Sequence, residues 1–266
     1  MDFTPTDNTS IHIHPTAVVD PRAEIAAGVS IGPYSIVEAN VQIGKNCRIG
    51  PYVHLAAGTR LGAGCRVFTG AALGNIPQDL KFGGEETTLE IGERTIIREF
   101  ATLHRGTKDH WKTTIGSDCL LMAYSHVAHD CIIGNHCILA NAVNLAGHVV
   151  VEDWASLGGM VPVHQFVHIG QHCFIGGGSL VRKDVPPYIR AAGEPLTFAG
   201  LNSVGLSRRG FSAEAMLALK RAYKLLYKSK LNVSQAIQRI REECELTPEV
   251  QNVLAFIEKS ERGIIG

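Results

Sequence analysis

Four histidines, His126, His129, His148 and His164, fall close together in a pattern suited to proton chemistry. Imidazole changes charge near neutral pH, so one of these rings can take a proton from an attacking group and later return it. Three neutral imidazoles can also hold zinc. Asp130 follows His129 directly and is a candidate to orient it or set its tautomer. Neighbours along a strand face opposite ways, so that pairing requires a break in the extended backbone. Gly147 lies eighteen residues beyond His129, and its backbone N–H, with no side chain in the way, is a candidate oxyanion donor. Any one of the twelve histidines is ordinarily a packed or solvated side chain; the grouping is what argues for a site.

The grouping follows from a period of six. Stepping by six from Ile13 to Val181, every slot is Ile, Leu or Val except Asp79, Glu85 and Asp109. That period fits neither an α-helix nor a simple strand. It marks a hexapeptide β-helix, in which three hexads make one triangular coil and residues eighteen apart stack at roughly 4.8 Å. The hexads that begin at Val127, Leu145 and Val163 therefore form one column. They bring His129, His148 and His164 together, with His126 just before them, within about 10–15 Å.

Two further columns accompany the aliphatics. Gly often follows the aliphatic, as at Gly32, Gly44, Gly116 and Gly134, where it is expected to permit a tight corner. Four residues after the aliphatic the side chain is small, and Cys47, Cys65, Cys119, Cys131, Cys137 and Cys173 all occupy this inward slot. These cysteines read as buried small hydrophobes rather than ligands or disulfides, which places the chain inside the cell.

The three missing aliphatics fall in two stretches, near 75–88 and 106–114, that read as loops inserted on a functional face. Residues 1–10 are polar and expected to fray. The solenoid is expected over 11–188, ended by Pro186 and Pro187, with an irregular link over roughly 189–210 opening a C-terminal helical domain over 189–266. Ser212 caps a first helix with Met216, Leu219, Ala222, Tyr223 and Leu226 on one face. A second helix runs from about Val233, and Thr247-Pro248 starts a third. The formal net charge is zero, which argues against a nucleic-acid or membrane-surface protein, and no signal peptide or membrane-length apolar run is present.

Several short segments go beyond the repeat: Ile13-His14-Pro15-Thr16-Ala17, Gln78 to Lys81, His104 to Thr107, Ala128-His129-Asp130, Leu145 to His148, Val163 to Phe166, Asp184 to Tyr188 and Arg208 to Phe211. In this order, with helices at the end, the chain over 11–266 resembles the acyl-carrier-protein–UDP-N-acetylglucosamine O-acyltransferases, which catalyse the first step of lipid A biosynthesis. The resemblance implies a left-handed parallel β-helix with a C-terminal α-helical domain, assembled as a cytoplasmic homotrimer without a cofactor, with sites between neighbouring copies. It implies transfer of an (R)-3-hydroxyacyl group from acyl carrier protein to the glucosamine 3-hydroxyl of UDP-N-acetylglucosamine.

The same resemblance distributes roles. His129 becomes the general base, Asp130 its support and Gly147 the oxyanion donor. His126 and His148 become substrate contacts, Asp79 and Lys81 sugar and phosphate contacts, and His104 a further site histidine. His164 and Gln165 fall near the nucleotide, Asn202, Arg208 and Arg209 at its binding end, and Gly177 at the position that sets acyl length. Val204 stands where such relatives commonly carry an acid. Lys220, Lys224 and Lys228 form a basic stripe, with Arg221 beside it, suited to an acidic carrier protein. Two other enzymes remain open at this point: a trimeric zinc hydro-lyase on the same solenoid, and an acyltransferase that acts on a 3-amino UDP-sugar. A purely structural trimer is the third alternative.

Overall fold

The computed structural model describes residues 9–266; of the fraying expected over 1–10, residues 1–8 lie outside the described residues. Two-residue strands recur along the chain from His12–Ile13 to Phe174–Ile175, and each pairs in parallel with the strand one coil on. Among the described residues they build three sheets of nine, eight and eight strands, the faces of a triangular prism, and two later strands extend the first sheet to eleven. The first sheet begins at His12–Ile13, the second at Val18–Val19 and the third at Glu24–Ile25. This is a left-handed parallel β-helix.

The aliphatic phase is the core. Leu55, Leu73, Leu103, Val127 and Leu145 pair in succession in the second sheet, and all are fully buried. Each such side chain contributes roughly 1.5–3 kcal/mol by leaving water. Leu55 and Leu73 are eighteen residues apart, but Leu73 pairs with Leu103, thirty on, and Leu103 with Val127, twenty-four on. The insertions are thus two hexads and one hexad long, which is why the phase survives both. Six cysteines lie in the inward slot, all buried and free.

The glycine that follows the aliphatic has a different reason from the one expected. Gly44 and Gly62 do not have the positive φ of a corner residue; a Cβ on either would stand 2.7 Å from the backbone of the next coil. Close stacking, not conformational freedom, excludes a side chain there. The left-handed residue of each corner comes two positions later and is mostly not glycine, as at Asn40, Asn46, Asp118 and Asp130.

Both insertions leave the prism at one edge, where the chain turns from the second sheet into the third. One joins Ala72–Asn75 to Thr88–Ile91, and the other joins Thr102–His104 to Lys112–Ile115. The segments 128–131, 146–149 and 164–167 turn the same edge.

The link expected to be irregular carries structure. Ile189–Ala192 continues the first sheet in parallel, and Thr197–Leu201 returns antiparallel to it. Helix α1 spans Ser203–Arg208, α2 Ala213–Lys228, α3 Val233–Glu243 and α4 Pro248–Lys259. The side chains of Ser212, Asn232 and Thr247 cap α2, α3 and α4. Leu219, Ala222, Tyr223 and Leu226 are buried, and the Tyr223 hydroxyl donates to Pro187 O. Asp184 ties the domain on, accepting from His168 N at 2.8 Å and from the Ser260 hydroxyl at 2.6 Å. Among the described residues no helix is long and apolar enough to cross a membrane.

Candidate active site

Each turn of the edge between the second and third sheets places equivalent side chains in vertical columns. Asp130, His148 and Phe166 share the left-handed corner position, with φ of 59°, 61° and 62°. His148 and Phe166 therefore stack, with ring centroids 4.5 Å apart and planes within 14°. His129 belongs to the neighbouring column, with Gly147 one coil above it. A Cβ on Gly147 would stand 2.6 Å from His129 Cε1 and 2.8 Å from Nε2. His148 meets His129 edge-on, at 5.1 Å and 89°.

The left-handed turn at Asp130 is the backbone break that pairing with His129 required. It folds the carboxylate back beneath its neighbour, and His129 Nδ1 lies 2.8 Å from Asp130 Oδ2. Asp130 is fully buried, while the His129 side chain keeps 15 % of its surface exposed. Burial pushes the Asp130 carboxyl up, but hydrogen bonds from Thr107 and His129 outweigh this and hold it below the usual range. An ionised carboxylate only accepts, so the proton between the two sits on Nδ1 and Nε2 is left bare to act as a base.

Around this pair stand further imidazoles. His104 is 4 % exposed and meets His126 edge-on at 4.9 Å. Burial, helped by the charges of His126 and His129, pushes His104 down to about 4. His126 shares a 2.8 Å hydrogen bond with the Thr102 hydroxyl and is lowered by burial. Burial also lowers His148, although Asp130 pulls the other way. His164 and Gln165 lie on the same edge one coil further, both exposed, with His164 Nδ1 3.2 Å from Gln165 O. The ring against His148 on that side is Phe166, which the histidine pattern did not single out.

The second insertion supplies residues to the site that spacing alone did not find. Thr107 N–H and hydroxyl both donate to Asp130, at 2.9 and 2.7 Å. His110 lies edge-on to His148 at 5.4 Å, and Asp109 Oδ2 is 3.7 Å from His148 Nε2. Its length of one hexad was the available signal, since a loop that keeps the phase can fold back on the coil beside it. On the first insertion, Asp79 Oδ1 accepts from Lys81 N at 3.0 Å, leaving the Lys81 side chain exposed.

The remaining expected residues lie on or against other edges of the same prism. Asn202 caps α1, donating to His172 O at 2.9 Å and accepting from Gly205 N at 3.3 Å. Arg209 lies over the Trp154 ring at 5.0 Å and donates to Trp154 O, while Arg208 is exposed. His172 and Trp154 turn the edge between the third and first sheets, and burial, with Arg209 adding to it, pushes His172 down to about 4. Gly177 turns the edge between the first and second sheets, where a Cβ would stand 3.1 Å from Gly159 O.

His129, Asp130 and His148 each offer one donor atom within 4.8 Å of the others, a spacing open to a metal ion. Among the described residues the third donor beside the two rings is not an imidazole but a carboxylate already engaged by Thr107. The geometry suits proton transfer at a bare Nε2 with a backbone N–H close above it.

The family described as UDP-N-acetylglucosamine O-acyltransferase, domain 2, matches residues 184–265, and the bacterial transferase hexapeptide family matches 40–75 and 112–147. The acyl-[acyl-carrier-protein]–UDP-N-acetylglucosamine O-acyltransferase of Myxococcus xanthus is 51% identical over 253 residues, covering 95% of this chain and 98% of its own. That of Thiobacillus denitrificans is 47% identical over 254 residues, with the same coverage of 95% and 98%. Among solved structures, LpxA of Acinetobacter baumannii superposes with a TM-score of 0.92 at 46% identity, covering 96% of this chain and 99% of its own. UDP-N-acetylglucosamine O-acyltransferase (LpxA) of Moraxella catarrhalis also gives 0.92, at 40% identity, with coverage of 96% and 99%.

Proposed function

The chain belongs to the acyl-[acyl-carrier-protein]–UDP-N-acetylglucosamine O-acyltransferase family, and from that premise we propose that His129 is the general base of its acyl transfer. The protein moves an acyl group, read here as (R)-3-hydroxyacyl, from acyl carrier protein to the glucosamine 3-hydroxyl of UDP-N-acetylglucosamine, opening lipid A biosynthesis. His129 Nε2 removes the hydroxyl proton as that oxygen attacks the thioester carbonyl. Asp130 holds the ring by Nδ1 and stabilises the imidazolium that forms. Gly147 N–H, which has no acceptor among the described residues, faces the oxygen that gains charge. When the tetrahedral adduct collapses, the carbon–sulfur bond breaks and the imidazolium returns the proton to the departing thiolate.

The observation that carries this reading is the 2.8 Å pairing of His129 with a buried carboxylate, directly below a glycine that leaves Nε2 uncovered. Membership in an O-acyltransferase family favours this reading over the zinc hydro-lyase, the structural trimer and the 3-amino acceptor.

The other assignments rest on position. Asp79 and Lys81 reach the sugar nucleotide from the first insertion. His104, His126 and His148 line the acceptor side, with His164 and Gln165 above. Asn202, Arg208 and Arg209 take the nucleotide end, and Gly177 limits the acyl chain. The latter two groups lie on or against different edges of the prism from His129, so a site containing all three is read as shared between neighbouring copies. That supports a homotrimer, and a cytoplasmic location is proposed with it from the family reading alone. The exposed Lys220, Arg221, Lys224 and Lys228 on α2 suit an acidic carrier protein. Mass spectrometry of the product from UDP-N-acetylglucosamine and a mixed pool of 3-hydroxyacyl carrier proteins tests the reading. It predicts a single ester at the 3-position; an unacylated sugar nucleotide would refute it.

A further inference from the structure

The carboxylate behind His129 is held by the second insertion more fully than by the β-helix that carries it. Asp130 is fully buried and has a left-handed backbone, and among the described residues its carboxylate is hydrogen-bonded from its own coil by His129 Nδ1 alone. The loop over 105–111 supplies the other donors. Thr107 N donates to Oδ1 at 2.9 Å and the Thr107 hydroxyl to Oδ2 at 2.7 Å. His110 N adds a longer contact to Oδ1 at 3.3 Å. On the coil side, Asp130 N donates to Thr113 Oγ1 at 2.8 Å. Thr107 is 5 % exposed, and its hydroxyl also accepts from Asp109 N at 3.3 Å.

A carboxylate offers about four acceptor positions. Here Oδ1 takes two N–H groups, and Oδ2 takes the Thr107 hydroxyl and His129 Nδ1. With the Thr107 hydroxyl in place, the carboxylate is fixed in rotation and the position facing His129 is the one left for the ring. The Thr107 hydroxyl has no other acceptor among the described residues, so its proton is committed to Oδ2.

We infer that Thr107 is a positioning residue for the reaction: it clamps Asp130 through both its N–H and its hydroxyl, and thereby keeps His129 in the tautomer with a bare Nε2. The inference rests on His129 being the base. Thr107 touches neither substrate nor the reacting atoms and acts through Asp130. Without its hydroxyl, Oδ2 loses a donor, the carboxylate turns more freely, and the Nδ1–H bond that selects the tautomer weakens. A hydrogen bond to a charged group is worth roughly 10–100-fold in an equilibrium, and the loss should appear at that scale in kcat.

The test compares Thr107→Val, which keeps shape and loses the hydroxyl, with Thr107→Ser, which keeps the hydroxyl and loses the methyl. In full-length protein, Val should lower kcat about 10–100-fold with KM for UDP-N-acetylglucosamine within about twofold, and Ser should stay within a few-fold of wild type. Nitrogen-15 NMR of labelled histidine, with the His129 signal identified by its loss in His129→Ala, should show Nδ1–H in wild type and a growing Nε2–H population in Val. Wild-type kcat in Val, or equal damage in Ser and Val, overturns the inference. So does an Nε2–H tautomer in wild type, a reading that holds even if the Val variant fails to fold. Retained activity in His129→Ala would instead remove the base assignment itself, so the two failures are distinct.

Discussion

A Cβ built on Gly147 would stand 2.6 Å from Cε1 and 2.8 Å from Nε2 of His129. The space between the ring and the next coil does not admit even a methyl group. Gly147→Ala must therefore push the imidazole off its position. A displacement of about 1 Å at a reacting group costs on the order of 10²-fold in rate. We expect that loss in kcat with a melting temperature near wild type, because the ring faces outward from the aliphatic core. Steady-state kinetics beside a thermal melt checks this, and an Ala variant with wild-type kcat would contradict it.

His104 makes stability depend on pH on the acid side. It is 4 % exposed, and burial pushes it down to about 4, below its unfolded value of about 6.5. Below pH 6.5 the unfolded chain takes a proton that the folded chain refuses. The contribution is therefore complete above 6.5 and declines as pH falls toward 4, by on the order of 2 kcal/mol between 6.5 and 5. His172, also at about 4, acts in the same direction. Urea midpoints at fixed protein concentration should fall from pH 7.5 to 5, and fall less in His104→Gln. An equal fall in both proteins would mean that His104 titrates normally.

Lys81→Ala should weaken capture of the sugar nucleotide without disturbing the fold. Lys81 is exposed on the first insertion, outside the aliphatic ladder, and its removal takes away a charge but no packing. KM for UDP-N-acetylglucosamine should rise several-fold and the melting temperature should hold. An unchanged KM, or a large drop in melting temperature, would count against a phosphate-directed role.

What the sequence disclosed depended on repetition. Ile31, Ile49 and Val67 must match because each packs on the next, so the ladder could be read directly, and with it the column that joins His129 to Gly147. The corner residues could not be read this way. Asp130 and His148 adopt the left-handed turn without being glycine, and although Asp and His tolerate it better than most residues, their type alone does not mark the break that puts the carboxylate under the ring. Gly44 was visible as a glycine, but its reason, contact with the next coil, appears only once the coils are stacked. Thr107 ends a segment that carries the resemblance, but its contact with Asp130 could not be read because it depends on how an irregular loop folds back.

Gly177 should act as a limit on acyl length. Its Cβ position lies 3.1 Å from Gly159 O, so a side chain there requires only a small adjustment before projecting outward. The wild-type protein is expected to prefer a long 3-hydroxyacyl donor. Gly177→Met should shift preference toward a shorter one, each methylene excluded from an apolar groove counting for about 0.8 kcal/mol. Competition between donors of different length reads this out. If the Met variant keeps the wild-type preference, the exposed Phe174 and Met160 become the candidates.

On the proposed mechanism His129 removes the proton from the acceptor hydroxyl. Single-turnover rates of ester formation from an acyl carrier protein thioester and UDP-N-acetylglucosamine, measured for wild type and His129→Ala at equal trimer content, test it most directly. The account predicts a loss of roughly 10²–10⁴-fold with fold and assembly unchanged. A His129→Ala rate within a few-fold of wild type would contradict it.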